Sequence, residues 1–258
     1  MSDELIKTRK EGKIAWITLN RPEAMNTFTI PYANQLDAAL KQLDNDPDVL
    51  VIIVEGAGKN FCTGIGLDQF PSRTQQEARD FLYQIDAFYG TLSRMKKVTI
   101  ASVHGYALAN GAGLAAACDL TVAAETAVFG TTAINVGLIC LGPAAVLIQN
   151  IGKKKVLEMV LTGDMISAAE AHQLGLVNKV VPEQELAAAT LELANKLASK
   201  SPVALRNGKE GLNRLPDLPH QQALDIMDDL FSALTATEDA VEGVNAFVAK
   251  RKPVWKGR

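Results

Sequence analysis

Apolar and polar positions fall into two alternating kinds of run along this chain. Ile14–Leu19 (IAWITL) is short and almost wholly apolar, and Asn20-Arg21-Pro22 follows it. This predicts a strand closed by Pro22, which cannot donate to a ladder. Ala33, Leu36, Ala39, Leu40 and Leu43 then recur at helical spacing over residues 32–43. Residues 49–55 (VLVIIVE) form a nearly continuous apolar run, the pattern of a strand buried on both faces of a parallel sheet. A glycine-bearing loop, residues 56–66, comes next. Helical spacing returns over residues 74–95, with Phe81, Ile85, Phe88 and Leu92 on one face. Val98–Val103 predicts another strand, residues 105–113 a glycine–alanine turn, residues 114–118 a helical run and residues 120–123 a strand. Strands alternating with helices predict an α/β fold with repeated crossovers. No repeat of fixed period stands out.

From Lys153 onward the pattern turns mainly helical, over residues 155–161, 167–174, 183–200, 202–215 and 218–235. Ser167 opens Ser-Ala-Ala-Glu, the spacing of a capping box in which Glu170 reaches back to the Ser167 amide. The change from mixed α/β to all-α character divides the chain into a core of residues 1–190 and a helical region of residues 191–258. No linker separates them, so the helical region is expected to pack on the core or on a neighbouring subunit.

Composition narrows the function classes. The 258 residues carry a formal net charge of −3, with 48% hydrophobic and 21% charged residues. That is an ordinary globular balance, long enough to bury a core without disulfides or metal. Basic residues are scattered, so neither a nucleic-acid footprint nor a polybasic membrane anchor is expected. Cys62, Cys118 and Cys140 form no disulfide framework, and with only three histidines no cluster has zinc-ligand spacing. The first residues, MSDELIKTRKEGK, lack the apolar stretch of a signal peptide, and the apolar-rich residues 111–124 are too short for a bilayer. A reducing cytoplasm is the expected compartment.

Two glycine-bearing loops follow apolar strands: Phe61-Cys62-Thr63-Gly64-Ile65-Gly66, and residues 105–113 (GYALANGAG). Small residues let another group approach the backbone, and free N–H groups at a helix start can hold an oxyanion. Neither loop is a dinucleotide fingerprint or a P-loop, and no GxSxG elbow occurs. His104 and Cys140 read as packed residues, and Asp119, between a helical run and a strand, reads as a structural hydrogen-bonding group. Asp80 and Asp86 flank Tyr83 on a helical segment, where a solvated face accounts for such charges.

Six stretches, in order, resemble one family, the enoyl-CoA hydratase/isomerase or crotonase family. LNRPEAMN (residues 19–26) is similar to its N-terminal signature, and FCTGIGLD (61–68) to its FxxGxDL loop. GYALANGAGLAAACD (105–119), FGTTAINVG (129–137), LTGDMISAAEAHQLGLVNKVVP (161–182) and FVAKRKPVWK (247–256) follow the same family pattern. The resemblance covers nearly the whole chain. It implies a crotonase-like α/β spiral of ββα units with a C-terminal helical region that serves trimerisation and closure of the CoA site. It implies a homotrimer or a dimer of trimers, and a bound acyl-CoA with no cofactor beyond the coenzyme A of the substrate itself. Two backbone N–H groups, of Ile65 and Asn110, would hold the thioester carbonyl. Ala24, Cys62, Thr63 and Gly64 would line the CoA path, and Lys256, contributed by a neighbouring subunit, would meet its phosphates.

The departures bear on the reaction. The resemblance puts the hydratases' two acid–base glutamates at Gly113 and Ala133, neither of which can transfer a proton. Aspartate bases found elsewhere in the family fall at Leu141. An enzyme using the same oxyanion hole with another proton carrier is one reading, with isomerisation, decarboxylation, thioester hydrolysis or carbon–carbon cleavage as its chemistry. Asp68, Tyr83 and Asp86 are the candidate carriers, provided the helix after the first loop folds over the pocket. A CoA-ester binding protein without turnover is a second reading, and a purely structural oligomeric partner a third.

Overall fold

The computed structural model describes residues 4–70 and 72–258. β1 (Ile6–Glu11) and β2 (Ile14–Leu19) form a hairpin, and α1 (Ile30–Asp44) and β3 (Val51–Gly56) follow. α2 (Gln75–Ile85) and α3 (Ala87–Arg94) lead to β4 (Val98–Val103), β5 (Tyr106–Leu108), α4 (Asn110–Ala117), β6 (Leu120–Ala124) and β7 (Val128–Gly130). α5 (Leu141–Ile151), α6 (Lys153–Thr162), β8 (Met165–Ser167), α7 (Ala168–Gln173) and β9 (Lys179–Val181) complete the mixed part. α8 (Leu186–Ala198), α9 (Pro202–Arg214), α10 (His220–Thr235) and α11 (Glu238–Val248) end the chain.

The main sheet has the order β1-β2-β3-β4-β6-β9, antiparallel at β1–β2 and parallel elsewhere. A second sheet, β5-β7-β8, is parallel at β5–β7 and antiparallel at β7–β8. All six residues of β4 and the first four of β3 are buried, as a strand with helices on both faces requires. The five α1 positions picked out by helical spacing are all buried too. Thr29 caps that helix, its side chain accepting from the Tyr32 amide, and Pro31 sits in the first turn.

Several expectations change. Residues 74–95 form two helices, jointed at Asp86, although Phe81, Ile85, Phe88 and Leu92 still share the buried face. The turn expected at 105–113 contains β5 and the start of α4. The capping box at Ser167 is half made: Ser167 accepts from the Glu170 amide, while the Glu170 carboxylate pairs with Lys155 at 2.9 Å. A full box forms instead at Thr74 and Glu77. Residue 190 falls inside α8, which lies on β3, β4 and β6.

One buried ion pair ties α9 to the core. Lys209 Nζ donates to Asp119 Oδ2 at 2.8 Å and to the Lys97 carbonyl at 2.9 Å. Asp119 Oδ2 also accepts from the Thr99 amide and hydroxyl, at 2.7 and 2.8 Å. Asp119 is therefore the structural group its position indicated. Removing one partner strands the other charge, so Lys209→Met should destabilise the protein by about 3 kcal/mol in chemical denaturation. Adding Asp119→Leu to it should recover part of that loss. A fully additive double variant would show that the pair is not coupled.

Candidate active site

β3 and β4 run in the same direction, and the loops leaving their C-terminal ends pack together. After β3, Cys62 joins β5 edge to edge: its amide donates to the Tyr106 carbonyl at 3.1 Å, and its carbonyl accepts from Leu108 at 2.9 Å. Gly64 then adopts φ +96°, and the loop pairs on its other side with Phe28. The Phe28 amide donates to the Gly64 carbonyl at 2.7 Å, and the Gly66 amide to the Phe28 carbonyl at 3.1 Å. Ile65 lies between these contacts. Strand alternation turns its N–H away from Phe28, and it has no acceptor among the described residues.

The second loop repeats the device. Ala109, between β5 and α4, has φ +48° and ψ −117°, a conformation that costs a non-glycine residue about 1–3 kcal/mol. Its amide is held by the Gly130 carbonyl at 2.8 Å. Asn110 then opens α4, and its N–H, one of the orphan donors of a helix start, has no acceptor among the described residues. The two loops touch here: a Cβ on Gly64 would lie 2.7 Å from the Ala109 Cβ and 3.6 Å from the Asn110 nitrogen. Gly64 is thus required both by its φ and by the approach of Ala109. Two unpartnered donors, each preceded by a residue of positive φ, stand at one edge of the sheet. Such a pair is suited to an oxygen on which negative charge develops.

Asn26 locks the loop that borders this place. It is fully buried; its Oδ1 accepts from the Arg21 amide, and its Nδ2 reaches the carbonyls of Ala57, Asn60 and Phe61 at 2.8–3.1 Å. The neighbouring Met25 carbonyl accepts from both the amide and the hydroxyl of Thr63. Ala24, Thr63 and Gly64 are thereby brought together with Ile65. Cys62 is not a lining residue: its side chain is fully buried in the core, and burial pushes its thiol up to about 12. Only its backbone serves the loop.

Lys256 stands elsewhere. It lies with Lys10, Lys13, Lys96, Lys97 and Arg206 around a groove of about 740 Å³ at the N-terminal ends of β2, β3 and β4, the opposite edge of the sheet. Its Nζ pairs with Glu238 at 2.8 Å. Within one chain it does not meet the two loops.

The three proton-carrier candidates separate clearly. Asp68 is exposed and bonded to Gln69. Tyr83 is 65% exposed on α2, its hydroxyl accepting from Arg79, which draws its pKa below the usual phenol value. Asp86 departs from the solvated face expected of it. At the joint of α2 and α3 it is half-buried and accepts from the Asn110 side-chain amide at 2.8 Å. Burial lifts its carboxyl to about 6, the Asn110 bond opposing the shift. Gly113 and Ala133 carry no polar side chain, and the space beside Gly113 is taken by the Tyr89 hydroxyl. Among the described residues no group of three or more His, Cys, Asp or Glu is placed to hold a metal, and no helix is long and apolar enough to cross a membrane.

Comparison with known proteins identifies the family. The family model described as enoyl-CoA hydratase/isomerase matches residues 9–258. The chain belongs to the enoyl-CoA hydratase/isomerase family. It is 38% identical to a probable mitochondrial enoyl-CoA hydratase of Dictyostelium discoideum, over 97% of this chain and 90% of that one. It is 36% identical to the 2,3-dehydroadipyl-CoA hydratase of Escherichia coli K12, over 99% of each. The crystal structure of an enoyl-CoA hydratase from Mycobacterium smegmatis matches with a TM-score of 0.94 and 32% identity, covering 97% of this chain and 98% of that one. The crotonase-type α/β fold with a helical C-terminal region is therefore the fold of this chain.

Family membership leaves the roles of Asn26, Ala109 and Tyr89 to the geometry, since periodicity carries no sign of them. Asn26→Leu strips the hydrogen bonds from three loop carbonyls. Each buried polar group left unpaired costs about 1–3 kcal/mol. Thermal unfolding should register a loss of at least about 3 kcal/mol, and an unchanged midpoint would contradict the pinning role.

Proposed function

We propose that this family member is an enzyme that holds an acyl-CoA thioester oxygen between the N–H groups of Ile65 and Asn110. There it stabilises the enolate formed as the thioester reacts. The observation that carries this reading is the pair of unpartnered amides on two loops packed against each other. Fixed donors of this kind need no reorganisation as charge develops, and each can contribute roughly 3 kcal/mol. The CoA chain would pass Ala24, Thr63 and Gly64, and Lys256 would reach its phosphates only from a neighbouring subunit. No cofactor beyond the substrate's coenzyme A enters the reading.

Hydration by two glutamates is not the proposed reaction, because Gly113 and Ala133 stand where the family resemblance puts them. Isomerisation, decarboxylation, thioester hydrolysis and carbon–carbon cleavage all pass charge through the same oxygen and remain open. A trimer or dimer of trimers is supported by the apolar side chains that the helical region, residues 191–258, leaves in solvent. Phe231, Val244, Phe247 and Val248 are between 65% and 85% exposed. A cytoplasmic setting is supported by Cys62, Cys118 and Cys140, all free and buried.

The test is turnover by purified protein, read by mass spectrometry, of crotonyl-CoA, a 3-enoyl-CoA, methylmalonyl-CoA and a 3-oxoacyl-CoA. The expected result is conversion of at least one of the last three, with crotonyl-CoA hydration near the buffer rate. Efficient hydration of crotonyl-CoA would overturn the exclusion of hydratase chemistry. Tight binding without any turnover would make this a thioester-binding protein instead.

A further inference from the structure

The side chain of Asn110 links the amide pair to a carboxylate. Its backbone N–H is one of the two free donors, and its Nδ2 donates to Asp86 Oδ1 at 2.8 Å. One residue therefore fixes both the place for a thioester oxygen and the position of an acid beside it. Asp86 sits at the helix joint, where the chain leaves α2 with φ −93° and ψ 1° and enters α3. At that joint its side chain is half-buried.

Its second oxygen is pointed at α5. A Cβ on Gly142 would lie 2.6 Å from Asp86 Oδ2 and 3.3 Å from its Cγ, so any side chain at residue 142 would push the carboxylate out. The matching arrangement occurs on α4. A Cβ on Gly113 would meet the Tyr89 hydroxyl, which itself reaches the Asn110 carbonyl at 3.4 Å. Gly113 is not a vacancy left by a lost acid. Two glycines, on α4 and α5, make the room in which Tyr89 and Asp86 stand.

The surroundings leave Asp86 as the group able to change charge near neutrality. Tyr89 on α3, Cys62 on the first loop and Cys140 ahead of α5 are all driven upward by burial and stay neutral. Asp86 has no ion-pair partner among the described residues. Burial without a cation raises its carboxyl to about 6, the range in which a group can both take and return a proton.

We infer that Asp86 is the catalytic proton carrier of this enzyme, working at the α-carbon of a thioester whose oxygen lies between Ile65 and Asn110, and that a 3-enoyl-CoA is its substrate class. This rests on the proposed oxyanion hole. The Asp86 carboxylate takes the α-proton; the C–H electron pair moves into the bond between the α- and carbonyl carbons, and the carbonyl π pair moves onto oxygen. The resulting carboxylic acid returns the proton to the α-carbon, which gives exchange, or to the γ-carbon, which moves the double bond from the 3- to the 2-position. No oxidant, water or second acid is consumed, so a single carboxyl group suffices.

Asp86→Asn keeps the size of the side chain and an oxygen for the Asn110 bond while removing the base. Two readouts separate chemistry from binding: hydrogen–deuterium exchange at the α-carbon of butyryl-CoA with isomerisation of 3-hexenoyl-CoA, and calorimetric affinity for butyryl-CoA. The wild-type rate should rise with pH through about 6, as the carboxylate forms. Asp86→Asn should lose exchange and isomerisation by about 10²- to 10⁴-fold, the usual worth of a positioned acid–base group, with affinity within a few-fold of wild type. Asp86→Glu should restore part of the rate. Gly113→Glu, which collides with Tyr89, should not create hydratase activity. Undiminished exchange in Asp86→Asn would overturn the assignment and leave the oxyanion hole standing. Wild-type binding without exchange would overturn it in favour of a thioester-binding protein. Failure of the wild type to bind butyryl-CoA would overturn both this inference and the proposed function beneath it.

Discussion

The site depends on two backbone amides that the fold leaves without partners. A buried N–H normally finds an acceptor, and leaving one free costs free energy. Here the same local means leaves two amides without a protein acceptor: a residue with positive φ, Gly64 or Ala109, reverses the chain just before the free donor. Glycine takes that conformation readily. Ala109 does not, and it is held there by its bond to Gly130 and by β5 behind it. Strain at a non-glycine residue persists only where the surroundings over-determine it, which marks the start of α4 as a place where geometry matters more than stability.

Much of the remaining architecture can be understood as support for that pair. The parallel strands β3 and β4 deliver both loops to the same edge, and the fully buried β4 gives them a rigid base. Asn26 ties the first loop to the preceding turn with four hydrogen bonds from one side chain. Asp119, immediately after α4, is anchored by Thr99 and Lys209, so the helix that presents Asn110 is fixed at its far end as well. Stability and function thus share residues without sharing roles. The ion pair holds α9 to the core, whereas Gly64 and Ala109 immediately precede the two free amides.

The fold was largely legible in the sequence because its core strands carry mainly apolar runs and α1 carries a clean helical period. β1 was not, since five of its six residues are exposed and charge-rich, as suits a sheet edge that must not pair further. β7, β8 and β9 have three residues each, too few for a period to show. Family resemblance, rather than any pattern of residues, pointed to Ile65 and Asn110. Asp86 was already one of three candidate carriers, but nothing in the sequence set it apart from Asp68 and Tyr83, because the apolar face from Phe81 to Leu92 reads as one continuous helix. Only the three-dimensional structure shows that aspartate bonded to Asn110. Gly113 likewise reads as a missing acid until Tyr89 is seen to fill its place. Cys62 was assigned to the CoA path by its loop, but the loop's backbone and its side chain face different surroundings.

Isotope-edited infrared spectroscopy of a carbonyl-labelled acyl-CoA bound to the protein tests the central claim most directly. If the N–H groups of Ile65 and Asn110 both donate to the thioester oxygen, the carbonyl stretch will fall to lower frequency than in water. In Gly64→Ala, where the added methyl meets Ala109 and φ +96° is disfavoured, it will return toward the solution value. A bound thioester whose carbonyl stretch matches that in water would contradict the account.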